Sequence, residues 1–481
     1  MSRFTADVIV IGSGAGGAAV AGELGRRGMT VKVLEAGSIA TTAAGTHSRN
    51  ERPMDASMPE AVEYLSRNYV AFNGDAQAQS GLPGLGAIRA VGGLFTAWSN
   101  NAPTHDVSEL PEWLDLAEWN PLVARAQRLL HVSQEVPDSD PRSESLRDGF
   151  RRAVGSLPEG REVQNMPIAA VWDGKQLHFS GADDLLVGAG AAVEIVTNRI
   201  VRRIVTDGDR AVAVEAYASA TNEVETFSAD HIVVATGTVG SAQLVAASRL
   251  DAGEALGAYL TEHVIFGSRI SLKPEFRVDH EVDGPTFALW APASAAHPWQ
   301  TQLTRHILGY TDELPPNVDP RNTADILGLC PIEPRPENRL RFDFQHLDDR
   351  GLPTADGSIS FSRRDREIAA RALGEQFLVA DELGELEWGW GSSLVPRGGT
   401  THLMGSCRMG PSDDGTSVVS PTGRLWQYTN IHVAGNAVLG AANAGNPTLT
   451  AVAHALHAAD AIAGVGTEFI TAAAPISTSG K

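Results

Sequence analysis

The stretch DVIVIGSGAGGAAVAGELGRRGMTVKVLEAG, Asp7 to Gly37, decides the fold. An apolar run, Val8 to Ile11, breaks at Gly12-Ser13-Gly14, passes into an alanine- and glycine-rich helical stretch and re-emerges as VKVL, ending at Glu35. That order of strand, glycine turn, helix, second strand and terminal acid is the pattern of a dinucleotide-binding βαβ unit. Each member has a mechanical reason. Gly12 permits the tight turn out of the strand, Gly14 lets backbone approach a pyrophosphate, and Gly17 lets the helix pack closely on the strand, while the first N–H groups of the helix face the phosphates. The Glu35 carboxylate is placed to accept ribose hydroxyls. A glycine triplet alone is a weak signal, because glycine turns are common. A nucleotide-free α/β core would, however, leave Glu35 without a role.

Composition bounds the partners. The chain has 481 residues, enough for two sizeable cores. Its formal net charge of −20, with no basic run, argues against nucleic acid, whose binding depends on clustered Lys and Arg. The two cysteines, Cys330 and Cys407, form no CxxC pair, which removes dithiol flavoprotein reductase chemistry and leaves inert buried thiols as the reading. No HExxH or Cys/His cluster is present, so no metal site is expected. The short apolar stretch at the N-terminus runs straight into the nucleotide pattern, and no apolar run reaches membrane-spanning length. A cytoplasmic protein with no membrane partner is the expectation.

A second constellation lies far along the chain. THLMGSCRMG, Thr401 to Gly410, places a candidate base, His402, ahead of HVAGNAVLGAANAGNPTLTAVAHALHAADAI, which carries a candidate partner, Asn446. An imidazole, with an unperturbed pKa of about 6.5, accepts protons near neutrality. The asparagine amide cannot take the proton, but it can hold a substrate oxygen in line. Asn446 has a competing role as a helix N-cap, since NPTLT sets Pro447 at a first helical position. His263, His297 and His306 carry no comparable motif support.

Taken together, the two ends resemble the glucose-methanol-choline (GMC) family of FAD-dependent oxidoreductases. Further likenesses are AIRAVGGLFTAWSNNAPTH (Ala87 to His105), HIVVATGTVGSAQLVAASRL (His231 to Leu250) and LGAYLTEHV (Leu256 to Val264), the last departing from the commoner family sequence at Thr261-Glu262. Within the family, VGGLFTAWSN, PIEPRPENRLRFDFQ (Pro331 to Gln345) and an Asn as second catalytic residue are most similar to pyranose oxidases and bacterial glycoside 3-oxidases. Fungal pyranose oxidases carry a histidine covalently bonded to flavin where this chain has Ala97, so the resemblance implies FAD held non-covalently. It further implies cofactor contacts at Arg89, Gly92, Gly93, Thr96, Trp98, Ser99, Val201, Ala235, Gly435, Asn436, Pro447 and Thr448, beside Gly12, Gly14, Gly17 and Glu35.

The implied reaction oxidises a secondary sugar hydroxyl to a ketone, at C3 of a glycoside, including a C-glycoside, or at C2 of a pyranose, with O2 or another electron acceptor closing the cycle. Two further readings stay open: an FAD-dependent dehydrogenase of an aminosugar or other alcohol, and a catalytically silent flavin-binding partner. The stretches around Trp98 and Asn338 are read as favouring a sugar ring.

The expected fold class is α/β: a Rossmann-like FAD-binding domain interleaved with an α+β substrate domain containing a mainly antiparallel sheet. The FAD part takes residues 1–104, 185–265 and 400–465; the substrate part takes 105–184 and 266–399; 466–481 form a flexible tail. Glu118 to Val132 has helical apolar spacing, and AAVEIVTNRIVRRIVTDGDRAVAVEAYAS reads as short strands with a DGD turn. Alternating RLRFDFQ with the later SISFS predicts antiparallel strands that could cover the flavin's reactive face. Thr286 to His306 reads either as a sugar lid or as packed loop.

Overall fold

The computed structural model describes residues 3–51, 67–73, 80–136, 140–280, 286–305, 318–386 and 393–464. The expected tail, 466–481, and His306 lie outside the described residues. Among the described residues no helix is long and apolar enough to cross a membrane.

The opening stretch folds as its pattern requires. Strand β1, Arg3–Ile11, leads into helix α1, Ala15–Arg26, and then strand β2, Val31–Leu34. Gly12 sits at φ 95°, a region costly for any side chain, and a Cβ there would lie 2.6 Å from the Ala235 carbonyl oxygen. Parallel pairing joins β1 to β2 and to Glu223–Val234, β2 to Val193–Val196, and Glu223–Val234 to Ile431–Val433. The hairpin of Arg199–Asp207 and Arg210–Ala218 extends the sheet antiparallel from the first half of Glu223–Val234. Val8 to Ile11, the second half of β1, is wholly buried, as are Ile431–Val433 and all of β2 but Lys32, as expected for a parallel sheet covered on both faces. On one face α1 packs with Leu116–Leu129 and Thr448–Ile462. On the other lies Gly237–Ala247 with the core that surrounds it.

Register decides where the site falls. Ile11 is opposite Leu34 and Val234, and Val234 is opposite Val433. The carboxyl ends of four strands therefore meet one edge, and the next residues, Gly12, Glu35, Ala235 and Ala434, open onto a shared crevice, where ligands of open α/β sheets bind.

A second seven-stranded sheet is antiparallel. Its order is Gly384–Leu386, His263–Leu272, Thr323–Pro331, Gln300–Thr304, Ala288–Ala291, Gln164–Asn165, with Ser393–Leu394 also pairing onto His263–Leu272. Its core lies against Arg363–Leu383 and Ser143–Val154. Two expectations change here. Thr286 to Thr304 is no lid: it supplies two buried strands, because the continuous apolar run ALWA and the following QTQLT each find partners on both sides. RLRFDFQ pairs not with SISFS but with the stretch ending at its first residue, Ser358, as a separate two-stranded ribbon, Arg339–Leu347 with Pro353–Ser358, packed on Gly237–Ala247. It does not belong to the sheet that faces His402.

Candidate active site

The nucleotide cradle is built from backbone. Gly17 presses so closely on Gly12 that a Cβ would collide with its carbonyl. Gly14 differs: a Cβ there would find only the Gly92 oxygen, at 3.8 Å, and one on Gly93 would find Gly14 Cα at 3.9 Å. Gly435, at φ 94°, likewise borders open space, with only Gly16 Cα at 4.0 Å. Glycines from three separated segments thus surround room that side chains would fill. Helix α1 has no side chain capping its N-terminus, which leaves N–H groups for an anion.

Ser13 ties the cradle together, since its Oγ donates to Glu35 Oε2 at 2.6 Å and accepts from Gly92 N at 2.9 Å. Glu35 also accepts from Gly37 N at 2.8 Å; burial pushes its carboxyl above the usual range, and these N–H and O–H donors pull it back. Neither Ser13 nor Gly16 was singled out in the sequence, although both fall inside the glycine pattern.

Other expected contacts divide into those that face this space and those committed elsewhere. Thr96 Oγ1 donates to the Gly93 carbonyl, closing the 3₁₀ turn Gly93–Thr96. Ser99 Oγ accepts from Asn101 N, and half-buried Ala97 offers only a methyl group. The Ala235 N–H donates to the Ile11 carbonyl and the Asn436 carbonyl accepts from Gly405 N, while Val201 is buried in the hairpin opposite Ala216. Arg89 turns its guanidinium to Asp349, at 3.0 Å for one of the two contacts, so its backbone beside Gly37 and not its charge reaches the cradle. The Trp98 indole donates to the Ser180 carbonyl and packs on Phe95. Asn338 is fully buried and accepts from Ser360 while its carbonyl holds Leu260, so it anchors a loop and meets no sugar.

His402 and Asn446 do meet, with Asn446 Nδ2 3.4 Å from His402 Nε2. They come together on loops, not on strand ends. Asn446 is also not the N-cap: the helix begins at Thr448 with Pro447 in the cap position and no side-chain cap. The Asn446 Oδ1 is instead taken by two donors from the antiparallel sheet, Gln300 Nε2 at 3.1 Å and Gln302 Nε2 at 2.9 Å. Period-two alternation puts both glutamines on one face, while Trp299 and Thr301 turn the other way to Glu375.

His402 is positioned by a strained loop. Thr401 has φ 60°, an unfavourable conformation for a β-branched residue. Buried Glu262 holds that loop, accepting from Gly398 N at 3.0 Å and Thr400 Oγ1 at 2.7 Å, and Thr400 Oγ1 accepts from His402 N. The next residue, His263, opens the strand His263–Leu272 and sets its Nδ1 2.8 Å from His402 Nδ1. His402 keeps some exposed surface, yet the protein around it and the neighbouring His263 and His105 drive its pKa well below that of free imidazole. A neutral imidazole facing an amide donor, in a chain that also carries a glycine-lined dinucleotide cradle, can deprotonate an alcohol whose hydride is passed on.

Two family models named GMC oxidoreductase match residues 87–265 and 334–455. The chain belongs to the GMC oxidoreductases. FAD is the cofactor of this GMC oxidoreductase, and the cradle fits it. The chain is 28% identical to a C-glycoside 3-oxidase of Microbacterium trichothecenolyticum, across 95% of this chain and 96% of that one. It is also 28% identical to a pyranose 2-oxidase of Tricholoma matsutake, across 82% of this chain and 76% of that one. Pyridoxine 4-oxidase from Mesorbium loti shares the fold at TM-score 0.67 and 17% identity, across 96% of this chain and all of that one. Both cysteines are buried and free, with burial pushing Cys407 up to about 12. Among the described residues no group of His, Cys, Asp and Glu could hold a metal ion.

Proposed function

We propose that this enzyme oxidises a secondary ring hydroxyl of a glycoside, C-glycosides included, to a 3-keto product, with O2 as the acceptor. The observation that carries the reading is the neutral His402 beside an Asn446 whose amide is clamped by two glutamines. The curated relatives supply the substrate class, because a C-glycoside 3-oxidase and pyranose 2-oxidases align over most of the chain.

Bound FAD supplies the hydride acceptor. Gly12, Gly14, Gly17, Gly92, Gly93 and Gly435 admit it by backbone, Glu35 receives its ribose, and Pro447 and Thr448 offer a second helix start without a side-chain cap. The Ala97 methyl offers no nitrogen for a covalent link, so the cofactor is held without one. His402 Nε2 takes the hydroxyl proton as the carbon gives up its hydride. Asn446 Nδ2 donates to the substrate oxygen and keeps its O–H aligned on the base, and clamping that amide removes the rotational freedom that would otherwise cost rate.

Anaerobic stopped-flow bleaching of the flavin by aryl C- and O-glycosides and by glucose, with the new carbonyl located by NMR, tests the reading. A 3-keto glycoside is expected. Fast C2 oxidation of glucose without glycoside turnover, or turnover of primary alcohols alone, would overturn it. His402→Ala is expected to retain FAD and slow bleaching roughly 10²- to 10⁴-fold.

A further inference from the structure

The strand that begins at His263 does more than support the loop. His263 is buried and has two side-chain neighbours on opposite edges of its ring: His402 Nδ1 at 2.8 Å from its Nδ1, and Asn443 Oδ1 at 3.1 Å from its Nε2. Two imidazole nitrogens in contact need one proton between them, and which ring carries it decides whether His402 can act as a base. If His263 donated, the proton of neutral His402 would sit on Nε2 and no lone pair would face the substrate.

The network resolves the choice at its far end. Asn443 Nδ2 lies 3.5 Å from the buried Met404 sulfur, an atom that accepts and cannot donate. Turning the Asn443 amide over would set its oxygen against that sulfur, with no hydrogen between them. Asn443 Oδ1 therefore faces His263, so the His263 proton is on Nε2 and its Nδ1 is a bare acceptor. His402 must then carry its proton on Nδ1 and present a bare Nε2 to Asn446 Nδ2, which is a donor because Asn446 Oδ1 is occupied by Gln300 and Gln302. Every contact from Met404 to the glutamines is then a donor facing an acceptor. His105 and Glu109 are the other titratable groups acting on His263, and His105 also acts on His402. Burial keeps His263 itself neutral, with a pKa lowered to about 4.

We propose that His263 is a positioning residue that fixes the catalytic tautomer of His402, accepting its Nδ1–H so that Nε2 is the base. The inference rests on His402 being the base, and it is independent of which alcohol is oxidised. An asparagine at 263 keeps an acceptor near the position of the lost Nδ1; a leucine does not.

The test uses the FAD-loaded full chain labelled with 15N-histidine, the His402 signals being assigned by difference against His402→Gln. Wild type is expected to show a protonated Nδ1 and an unprotonated Nε2 for His402. His263→Leu is expected to lose that pattern and to slow flavin reduction by roughly 10- to 100-fold in kcat with little change in KM, the usual scale for a group that orients a reacting one. His263→Asn should recover most of the rate. A protonated Nε2 in the wild type overturns the proposal whether or not either variant folds. So does a His263→Leu enzyme with unchanged tautomer and rate, or a His263→Asn no faster than His263→Leu. The expected tautomer with no glycoside turnover would count against the glycoside reading while supporting this one.

Discussion

Acid should unfold this protein through a seam of buried histidines behind the parallel sheet. His432 on the strand Ile431–Val433 and His454 and His457 on the helix Thr448–Ile462 are all buried, and burial, with neighbouring imidazoles adding to it for His432 and His454, lowers their pKa values to about 3, 3 and 4. In the unfolded chain each would titrate near 6.5. The folded state thus favours the neutral form: the stabilisation is complete above pH 6.5 and is withdrawn as pH falls from 6.5 toward the folded value. Between pH 7.5 and pH 5 the unfolded imidazole gains nearly a full proton and the folded one almost none, a difference of about 1.5 log units or about 2 kcal/mol per histidine. Three such residues amount to about 6 kcal/mol, a large part of the 5–15 kcal/mol typical of folded domains. The assay is urea unfolding of the FAD-saturated protein at both pH values, followed by tryptophan fluorescence, on wild type and His454→Met. Methionine fills much of the same space and cannot titrate. Losing the 3.1 Å contact from His454 Nε2 to the Pro421 carbonyl lowers stability equally at both pH values, so it cancels from the difference. The pH-dependent loss should shrink by about 2 kcal/mol in the variant. An identical loss in both proteins would show that His454 titrates normally when folded and would refute the reasoning.

Gly14→Val should yield a folded protein whose FAD affinity falls by more than about 100-fold, because its side chain enters the open cradle and displaces hydrogen bonds to an anion; Gly17→Val should instead fail to fold, and circular dichroism with FAD titration separates the two. The acid limb of kcat/KM should lie below the ordinary imidazole value, since the site holds His402 neutral; a limb at or above about 6.5 would contradict that. Gln302→Met removes one of the two donors on Asn446 and leaves Asn101 Nδ2 unpaired, so flavin reduction should slow by roughly 10- to 100-fold with FAD retained, measured by anaerobic stopped flow. Acid precipitation should release intact FAD into solution, as expected where Ala97 replaces a linking histidine; colour remaining on the pellet would point to another attachment.

The cofactor half of the molecule was legible in the chain because its contacts are local. The turn at Gly12, the close packing of Gly17 and the acid at Glu35 lie within one βαβ unit, and the physics of a tight turn and an uncapped helix start selects those residue types whatever surrounds them. His402 and Asn446 stood out through their motifs, and the helix from Leu116 and the hairpin with the DGD turn through their periodicity.

What surrounds the pair was decided by tertiary structure. His263, Gln300, Gln302 and Glu262 come from strands or strand entries of a second sheet, and in sequence a buried polar residue on a strand is indistinguishable from one that faces solvent. Thr286 to His306 read as a lid or a packed loop for that reason. Its alternation was visible, but the face its glutamines would meet depends on a sheet order that runs from Gly384–Leu386 to Gln164–Asn165 across the chain. Arg89, Trp98 and Asn338 likewise bond to Asp349, Ser180 and Ser360, partners remote in sequence that no local pattern announces. Residue type and local spacing determine which side chains can do chemistry; the long-range sheet register determines which of them touch, and through those contacts which nitrogen of His402 is left bare.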